Sequence, residues 1–199
     1  DETIPYLESK NILYTHSQEN IGICKALNLA AQKATTDYIV YMNDDMYVLP
    51  NWDAELLKEI NLLPDNNFYL SATLLEPIPK GNPAVISPAN FGTDIASFQE
   101  EKLLKEYYNF PFQDWSGSSW PPSIVHKDLW NAVGGYSEEF SPGFYSDPDF
   151  SMKLWQKGVR YFKGVSASRV YHFQSKSLGR IVKNDGRKQF YKKWGITAS

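Results

Sequence analysis

The amino-acid sequence predicts an α/β domain in which a mixed, mainly parallel sheet is flanked by helices. Two observations lead to this class. Short apolar runs that fit buried strands alternate along the chain with longer segments of helical periodicity. A strand, a helix and a strand also follow one another within residues 11–42, and such a unit folds as a right-handed parallel crossover. The chain has 199 residues, which suffices for one domain with a sizeable core.

The first half of the chain supplies the elements of that crossover and continues the sheet. We expect strands at 11–15, 38–42 and 68–75, and helices at 21–34 and 53–63. Asn20 is a suitable N-cap for the first helix, and Pro50 with Asn51 opens the second.

The second half is more interrupted, because prolines break the region from 76 to 89. Beyond it we expect helices at 95–108, 128–133, 147–158 and 186–194, and strand structure at 123–126 and 160–171. Asp128 is the expected cap of its helix, and Gly134-Gly135 ends that helix. The segment from Trp115 to Pro122 has the composition of a loop.

Composition limits the possible functions. The net charge of −3 argues against nucleic acid as the main partner, because no basic field would attract phosphates. Aromatic residues make up 15% of the chain, which suits contacts with sugar rings but also simple core packing. The single cysteine, Cys24, favours a reducing compartment. No apolar run approaches the roughly 20 residues of a membrane-spanning helix, so we expect a cytoplasmic protein or one at a membrane surface.

The segment Asn43-Asp44-Asp45 is the first candidate site. It follows the apolar run 38–42, so both carboxylates would lie at the carboxyl end of a strand, where open α/β sheets bind ligands. Mg²⁺ or Mn²⁺ with bound phosphates would relieve the repulsion between the two acids. The alternative is a polar turn whose Asp caps the next helix. The preceding strand and crossover helix favour the cation site.

The segment Asp147-Pro148-Asp149 is the second candidate. Asp147 at a cap position with Pro148 in the first turn is a sound helix start, and this explains the segment structurally. The helix dipole also keeps a carboxylate at this position ionised, so that it could accept a proton from a substrate hydroxyl.

Three further features allow both a structural and a functional interpretation. His172 ends a strand, and Lys176 and Arg180 follow in a segment suited to a loop over phosphate. The segment 115–120 carries two tryptophans, which fit either a sugar platform or a packed loop.

Taken in order, these motifs resemble the inverting family 2 glycosyltransferases, which have the Rossmann-related GT-A fold. The resemblance rests on five segments: Glu19–Ala30, Tyr38–Asp45, Gly134–Phe140, Asp147–Gly158, and His172 to Ser175 with the tail Phe190–Gly195. Together they span most of the chain. The resemblance implies sugar transfer from a nucleotide donor to a glycan or other hydroxyl acceptor, and polysaccharide synthesis by analogy.

The resemblance also implies roles for individual residues. Asp45 and His172 would bind a divalent cation, Mg²⁺ or Mn²⁺, and Asp147 would be the base that deprotonates the acceptor hydroxyl. Donor contacts are implied at Asn20, Lys25, Asp44, Lys176 and Arg180. Acceptor contacts are implied at Trp115, Ser116, Gly117 and Asp149.

The sequence departs from the family pattern at three points. Asn43 replaces the first acid of the cation motif, and Ser146 replaces the glutamate before the base. The chain also starts after the usual first strand, helix and strand, so we expect a truncated domain. Residues 1–75 would be the remainder of the nucleotide-binding half, and residues 76–199 the acceptor-binding half with its tail. A free sheet edge would then favour self-association.

Two other functions fit the same residues. One is a metal-dependent nucleotidyltransferase, which also uses acids at strand ends. The other is a carbohydrate-binding or scaffold domain without activity, consistent with the replacements at Asn43 and Ser146.

Overall fold

The computed structural model describes residues 2–82, 84–117, 120–174 and 183–198. Its α-helices are α1 Thr3–Ser9, α2 Ile23–Ala31, α3 Trp52–Ile60, α4 Glu100–Glu106, α5 Lys127–Val133, α6 Ser146–Gln156 and α7 Gly186–Trp194. Its strands are β1 Tyr38–Tyr41, β2 Met46–Val48, β3 Phe68–Leu75, β4 Val85–Ile86, β5 Trp115–Ser116, β6 Ser123–His126 and β7 Tyr161–His172. None of the helices in these ranges has the length and apolarity needed to cross a membrane.

The strands form one mixed sheet in the order β1-β6-β3-β7-β2, with β4 beside β3 and β5 beside β7. β3 is buried along its whole length, as its continuous apolar sequence predicts for a central strand. It pairs in parallel with β7 and β4, whereas the other described ladders are antiparallel. The predicted α/β class with a mixed sheet is confirmed, although parallel pairing is less extensive than expected. Both predicted halves of the chain contribute strands to this sheet.

The predicted strand at 11–15 is wrong. This segment is not a strand, and its apolar side chains are exposed, Ile12 to 47% and Leu13 to 75%. A strand depends on hydrogen bonds to a neighbour, and none of the described strands pairs with this segment. The predicted parallel crossover into β1 therefore does not form, and β1 pairs antiparallel with β6 instead.

Several helix boundaries also differ from the prediction. The helix expected at 95–108 is divided, because Phe98 has an extended conformation and only α4 is regular helix. α2 starts after Gly22 (φ 75°), and Asn20 accepts a hydrogen bond from the Gly22 amide rather than capping the helix directly. The cap of α5 is His126, whose Nδ1 accepts from the Asp128 amide.

A large aromatic core brings the amino end of α6 to β1. Its buried members come from α2, β1, β3, β6, α5, α6 and α7 and include Cys24, Ile39, Tyr41, Tyr69, Val125, Trp130, Tyr136, Phe150 and Phe190. Burial of this apolar surface is the main force that holds the helices on the sheet. As a consequence, Tyr41 at the end of β1 and Phe150 in α6 lie in one cluster.

Candidate active site

Asp45 and His172 meet where β2 pairs with β7. In this ladder Met46 lies opposite His172, and the Phe173 amide donates to the Asp45 carbonyl over 3.0 Å. The pairing register therefore fixes the backbone on both sides. His172 Nε2 lies 3.2 Å from Asp45 Oδ1. The two residues to which the sequence assigns the cation are thus adjacent, although 127 positions separate them in the chain.

Glu76 holds the other nitrogen of His172. It follows β3 directly, is 1% exposed, and its Oε1 lies 2.6 Å from His172 Nδ1. Its second oxygen accepts from Gln174 over 2.7 Å and pairs with Lys80 over 2.7 Å. A proton on Nδ1 bound to Glu76 leaves Nε2 facing Asp45, which is the orientation of metal-binding histidines.

The charges of this cluster are coupled. Burial lowers the pKa of His172, but hydrogen bonds with Asp45 and Glu76 outweigh burial and raise that pKa to about 9. Burial raises the pKa of Glu76, yet its bonds with His172, Lys80 and Gln174 bring the pKa below the ordinary value. Anionic Glu76 therefore faces a positively charged imidazole in the absence of a cation.

Asp147 lies in the first turn of α6 and not at the predicted cap position, which Tyr145 occupies. Tyr145 precedes the helix with φ 70°, and the Ser146 hydroxyl donates to the Gly143 carbonyl over 2.7 Å, so the chain turns sharply into α6. The Asp147 carboxylate is partly buried and accepts a hydrogen bond from the Tyr136 hydroxyl over 3.0 Å. Burial raises its pKa to about 6, although the Tyr136 bond acts in the opposite direction. A carboxylate with this pKa is suited to accept a proton near neutral pH.

Tyr41 lies near both acids. It ends β1, four residues before Asp45, and its ring meets Tyr136 edge-on with ring centres 5.7 Å apart. Burial raises the pKa of the Tyr41 hydroxyl, and the negative charges of Asp147 and Asp45 raise it further. Tyr41 thus links the strand that leads to Asp45 with Tyr136, the hydrogen-bond partner of Asp147.

The predicted donor contacts are solvent-accessible where the structure describes them. Asn20, Lys25 and Asp44 are exposed. The Asn20 side chain stabilises the turn before α2 through the Gly22 amide. Lys176 and Arg180 lie outside the described residues.

The predicted acceptor contact at Trp115 does not fit the structure. Its indole is buried against Gly164, where an added Cβ would lie 1.8 Å from the Trp115 ring, and its Nε1 donates to Thr73 over 3.1 Å. A buried ring has no open face for a sugar. Ser116 and Gly117 are exposed, and Trp120, the second tryptophan of the segment, is 42% exposed.

Asp149 is also buried rather than open to an acceptor. It is fully buried, and its Oδ1 accepts from Trp194 Nε1 and pairs with Lys193, each over 2.9 Å. These contacts anchor α7 to α6. The structure thus gives Asp149 an anchoring role between α6 and α7, whereas Asp147 contacts Tyr136.

Two residues of this site were not identified from the sequence. Glu76 carries a signal similar to that of Asp45, an acid shortly after an apolar strand, and could have been found by that rule. Tyr136 has no such signal, because its contact with Asp147 arises only when the turn after α5 packs on α6.

Within the described residues, no group of three or more His, Cys, Asp or Glu side chains is arranged to hold a metal ion. The donor set offered by these residues is therefore one carboxylate oxygen and one imidazole nitrogen.

Comparison with known proteins bears on the family and the fold. Residues 1–73 match the family described as Glycosyl transferase family 2. The chain is 24% identical over 193 residues to chondroitin synthase of Pasteurella multocida (strain Pm70), covering 84% of this chain and 19% of that protein. It resembles the crystal structure of GalNAc-T7 with UDP, GalNAc and Mn²⁺, with a TM-score of 0.61 and 18% identity, over 94% of this chain and 36% of that one. The chain therefore spans only a fraction of either relative.

The chain has a GT-A-like fold. The match to glycosyl transferase family 2 covers the amino-terminal part of the chain. The resemblance predicted from the sequence is confirmed.

Proposed function

We propose that this domain transfers a sugar from a nucleoside diphosphate donor to a hydroxyl group of a glycan, with inversion at the anomeric carbon. The observation that carries this proposal is the contact of Tyr41, at the end of the strand before Asp45, with Tyr136, whose hydroxyl donates to Asp147. Acids from distant parts of the chain are thereby brought to one region. A direct displacement at the anomeric carbon requires this, because the donor and the acceptor must bind side by side. Relatives named chondroitin synthase and GalNAc-T7 support a glycan acceptor.

Asp147 is the base in this proposal. It removes the proton from the acceptor hydroxyl, and the oxygen attacks the anomeric carbon. The bond from that carbon to the phosphate oxygen breaks, and the nucleoside diphosphate leaves with the electron pair. The Asp147 carboxyl has a pKa of about 6, so it is mostly ionised at neutral pH and still basic enough to accept a proton. The amino end of α6 favours this ionised form.

Asp45 Oδ1 and His172 Nε2 are the proposed ligands of a divalent cation. Their separation of 3.2 Å and the bond from Nδ1 to Glu76 fit a shared ion. An imidazole in the set favours Mn²⁺ over Mg²⁺, because Mg²⁺ takes oxygen ligands. The cation would neutralise the charge that develops on the departing diphosphate.

The acceptor is proposed to lie beside Ser116, Gly117 and Trp120, since these residues of the segment are exposed. Residues 1–75 remain the proposed nucleotide-binding half, and 76–199 the proposed acceptor-binding half. Self-association through the edge of β1, where Val40 is 42% exposed, also remains a proposal.

Product analysis tests this function. The chain is incubated with UDP- and GDP-sugars, Mn²⁺ and glycan oligosaccharides, and the released nucleotide is identified. Free nucleoside diphosphate with an extended glycan supports the proposal, whereas pyrophosphate indicates a nucleotidyltransferase. Absence of nucleotide binding by calorimetry would favour a carbohydrate-binding or scaffold domain. Asp45→Asn and Asp147→Asn should each abolish transfer, and Asp37→Asn, a change at an exposed acid before β1, should not.

A further inference from the structure

We propose that Tyr136 is a positioning residue for Asp147, whose Oδ1 it holds so that the other carboxylate oxygen can take the acceptor proton. This inference rests on the proposed function of Asp147 as the base. Tyr136 lies in the turn after α5, whereas Asp147 lies in α6, so the contact joins two separate elements. The Tyr136 hydroxyl donates to Asp147 Oδ1 over 3.0 Å.

The Tyr136 ring is fixed by its neighbours. It stacks on Phe150 with ring centres 4.6 Å apart and planes within 5°. Trp130 lies 5.6 Å away in a tilted arrangement, and Tyr41 meets the ring edge-on at 5.7 Å. A ring that is packed on several sides and 2% exposed keeps one orientation. The direction of its hydroxyl toward Asp147 is therefore set by packing.

The backbone of Tyr136 is fixed as well. Asn28 of α2 donates to the Tyr136 carbonyl and accepts from the Tyr136 amide, each over 2.8 Å. Gly135, with φ 63°, permits this approach, because an added Cβ would lie 2.2 Å from Asn28 Oδ1. Through Asn28, α2 of the proposed nucleotide-binding half holds the residue that positions the base of the other half.

The neighbours of Asp147 make the Tyr136 bond important. The titratable groups that face Asp147 from the packed elements are Tyr41, Tyr69 and Cys24. Burial raises the pKa of each of them, so they remain neutral near pH 7 and supply no countercharge. Asp149 on the same helix is paired with Lys193. The hydrogen bond from Tyr136 thus offsets part of the free-energy cost of burying the Asp147 charge.

The first test is the Asp147 carboxyl pKa, measured by ¹³C NMR and assigned with Asp147→Asn. Tyr136→Phe keeps the packed ring and removes only the hydroxyl. We expect the Asp147 pKa to rise by about one unit, because the bond that favours the charged form is lost. Tyr171→Phe is the matched control, since this buried hydroxyl donates to the Gly92 carbonyl over 2.6 Å in a separate core cluster. An Asp147 pKa that is the same in Tyr136→Phe and wild type overturns the proposal.

The second test is the transfer rate as a function of pH. The acid limb of the profile should move up by about one pH unit in Tyr136→Phe. At pH 8.5, where Asp147 is ionised in both proteins, kcat should stay about tenfold lower with the donor KM unchanged, because the base is misplaced. Equal kcat at that pH overturns the positioning role. If the pKa shift occurs but wild type transfers no sugar, the proposed function fails while the contact is upheld.

Thermal melting shows whether Tyr136→Phe folds. If it folds poorly, a second variant tests the same contact. Replacement of Tyr136 by 3,5-difluorotyrosine retains the ring and makes the hydroxyl a stronger donor. The Asp147 pKa should then fall below the wild-type value. An unchanged value contradicts the proposal.

Discussion

Asp147→Asn is expected to make the protein more stable at neutral pH while it removes the proposed base. The reason is the environment of Asp147, which penalises its charge. The pKa of the carboxyl rises from the ordinary 3.8 to about 6 on folding. Between these values the folded state binds more protons than the unfolded state, so the free energy of unfolding of wild type falls as the pH rises through this range.

The magnitude follows from the two pKa values. A pKa difference of about two units, at about 1.4 kcal/mol per unit, corresponds to roughly 3 kcal/mol at pH 7 and above. Asn remains neutral and still accepts the Tyr136 hydroxyl bond, although its amide group introduces new donors. We therefore expect a gain of about 1–3 kcal/mol at pH 7.5 and almost none at pH 3.5. Such a gain from the loss of a functional group is typical of active sites.

Urea unfolding of both proteins at a series of pH values measures this gap. Asp149→Asn is the control, because that carboxylate is buried beside Lys193 and Trp194 and the change should destabilise the fold by about 2–4 kcal/mol. A gap between Asp147→Asn and wild type that stays constant with pH, or a less stable variant at pH 7.5, would refute the assigned environment.

Further expectations concern the cation and acceptor regions. Glu76→Gln should weaken Mn²⁺ binding 10- to 100-fold, on the order found for residues that hold a metal-binding histidine in place. Electron paramagnetic resonance measures this affinity, and an unchanged value would show that Glu76 does not support the cation site. Trp115→Phe should lower the melting temperature through the lost Thr73 bond, with the acceptor KM unchanged. Trp120→Ala should raise the acceptor KM about tenfold with the melting temperature retained, and the opposite pattern would restore Trp115 as the platform.

Local sequence patterns predicted much of the fold because they depend on neighbouring residues. β3 and α6 form where apolar periodicity and helix-start residues agree. The strand expected at 11–15 failed for a non-local reason. Its apolar residues satisfy the pattern, but strand structure requires a partner, and none of the described strands supplies one.

The residues of the candidate site also fall into those with a local sequence signal and those placed only by tertiary packing. Asp45 and Asp147 were predicted from the sequence because acids after apolar runs and at helix starts are local signals, whereas the role of His172 was predicted from the family resemblance. The roles of Trp115 and Asp149 were not predictable, since residue type does not tell whether a side chain turns inward. Tyr136 and Asn28 are 108 positions apart, and only the packing of α2 on the turn after α5 joins them.

The sequence by itself determined the α/β class, most helices and strands, and the acids on which the proposed chemistry depends. Each of these features depends on residues that are close together along the chain. The tertiary structure alone decided which of these groups meet. Strand register brings His172 to Asp45, and the aromatic core directs Tyr136 to Asp147. Such contacts arise from burial and pairing between distant segments, which local patterns do not specify.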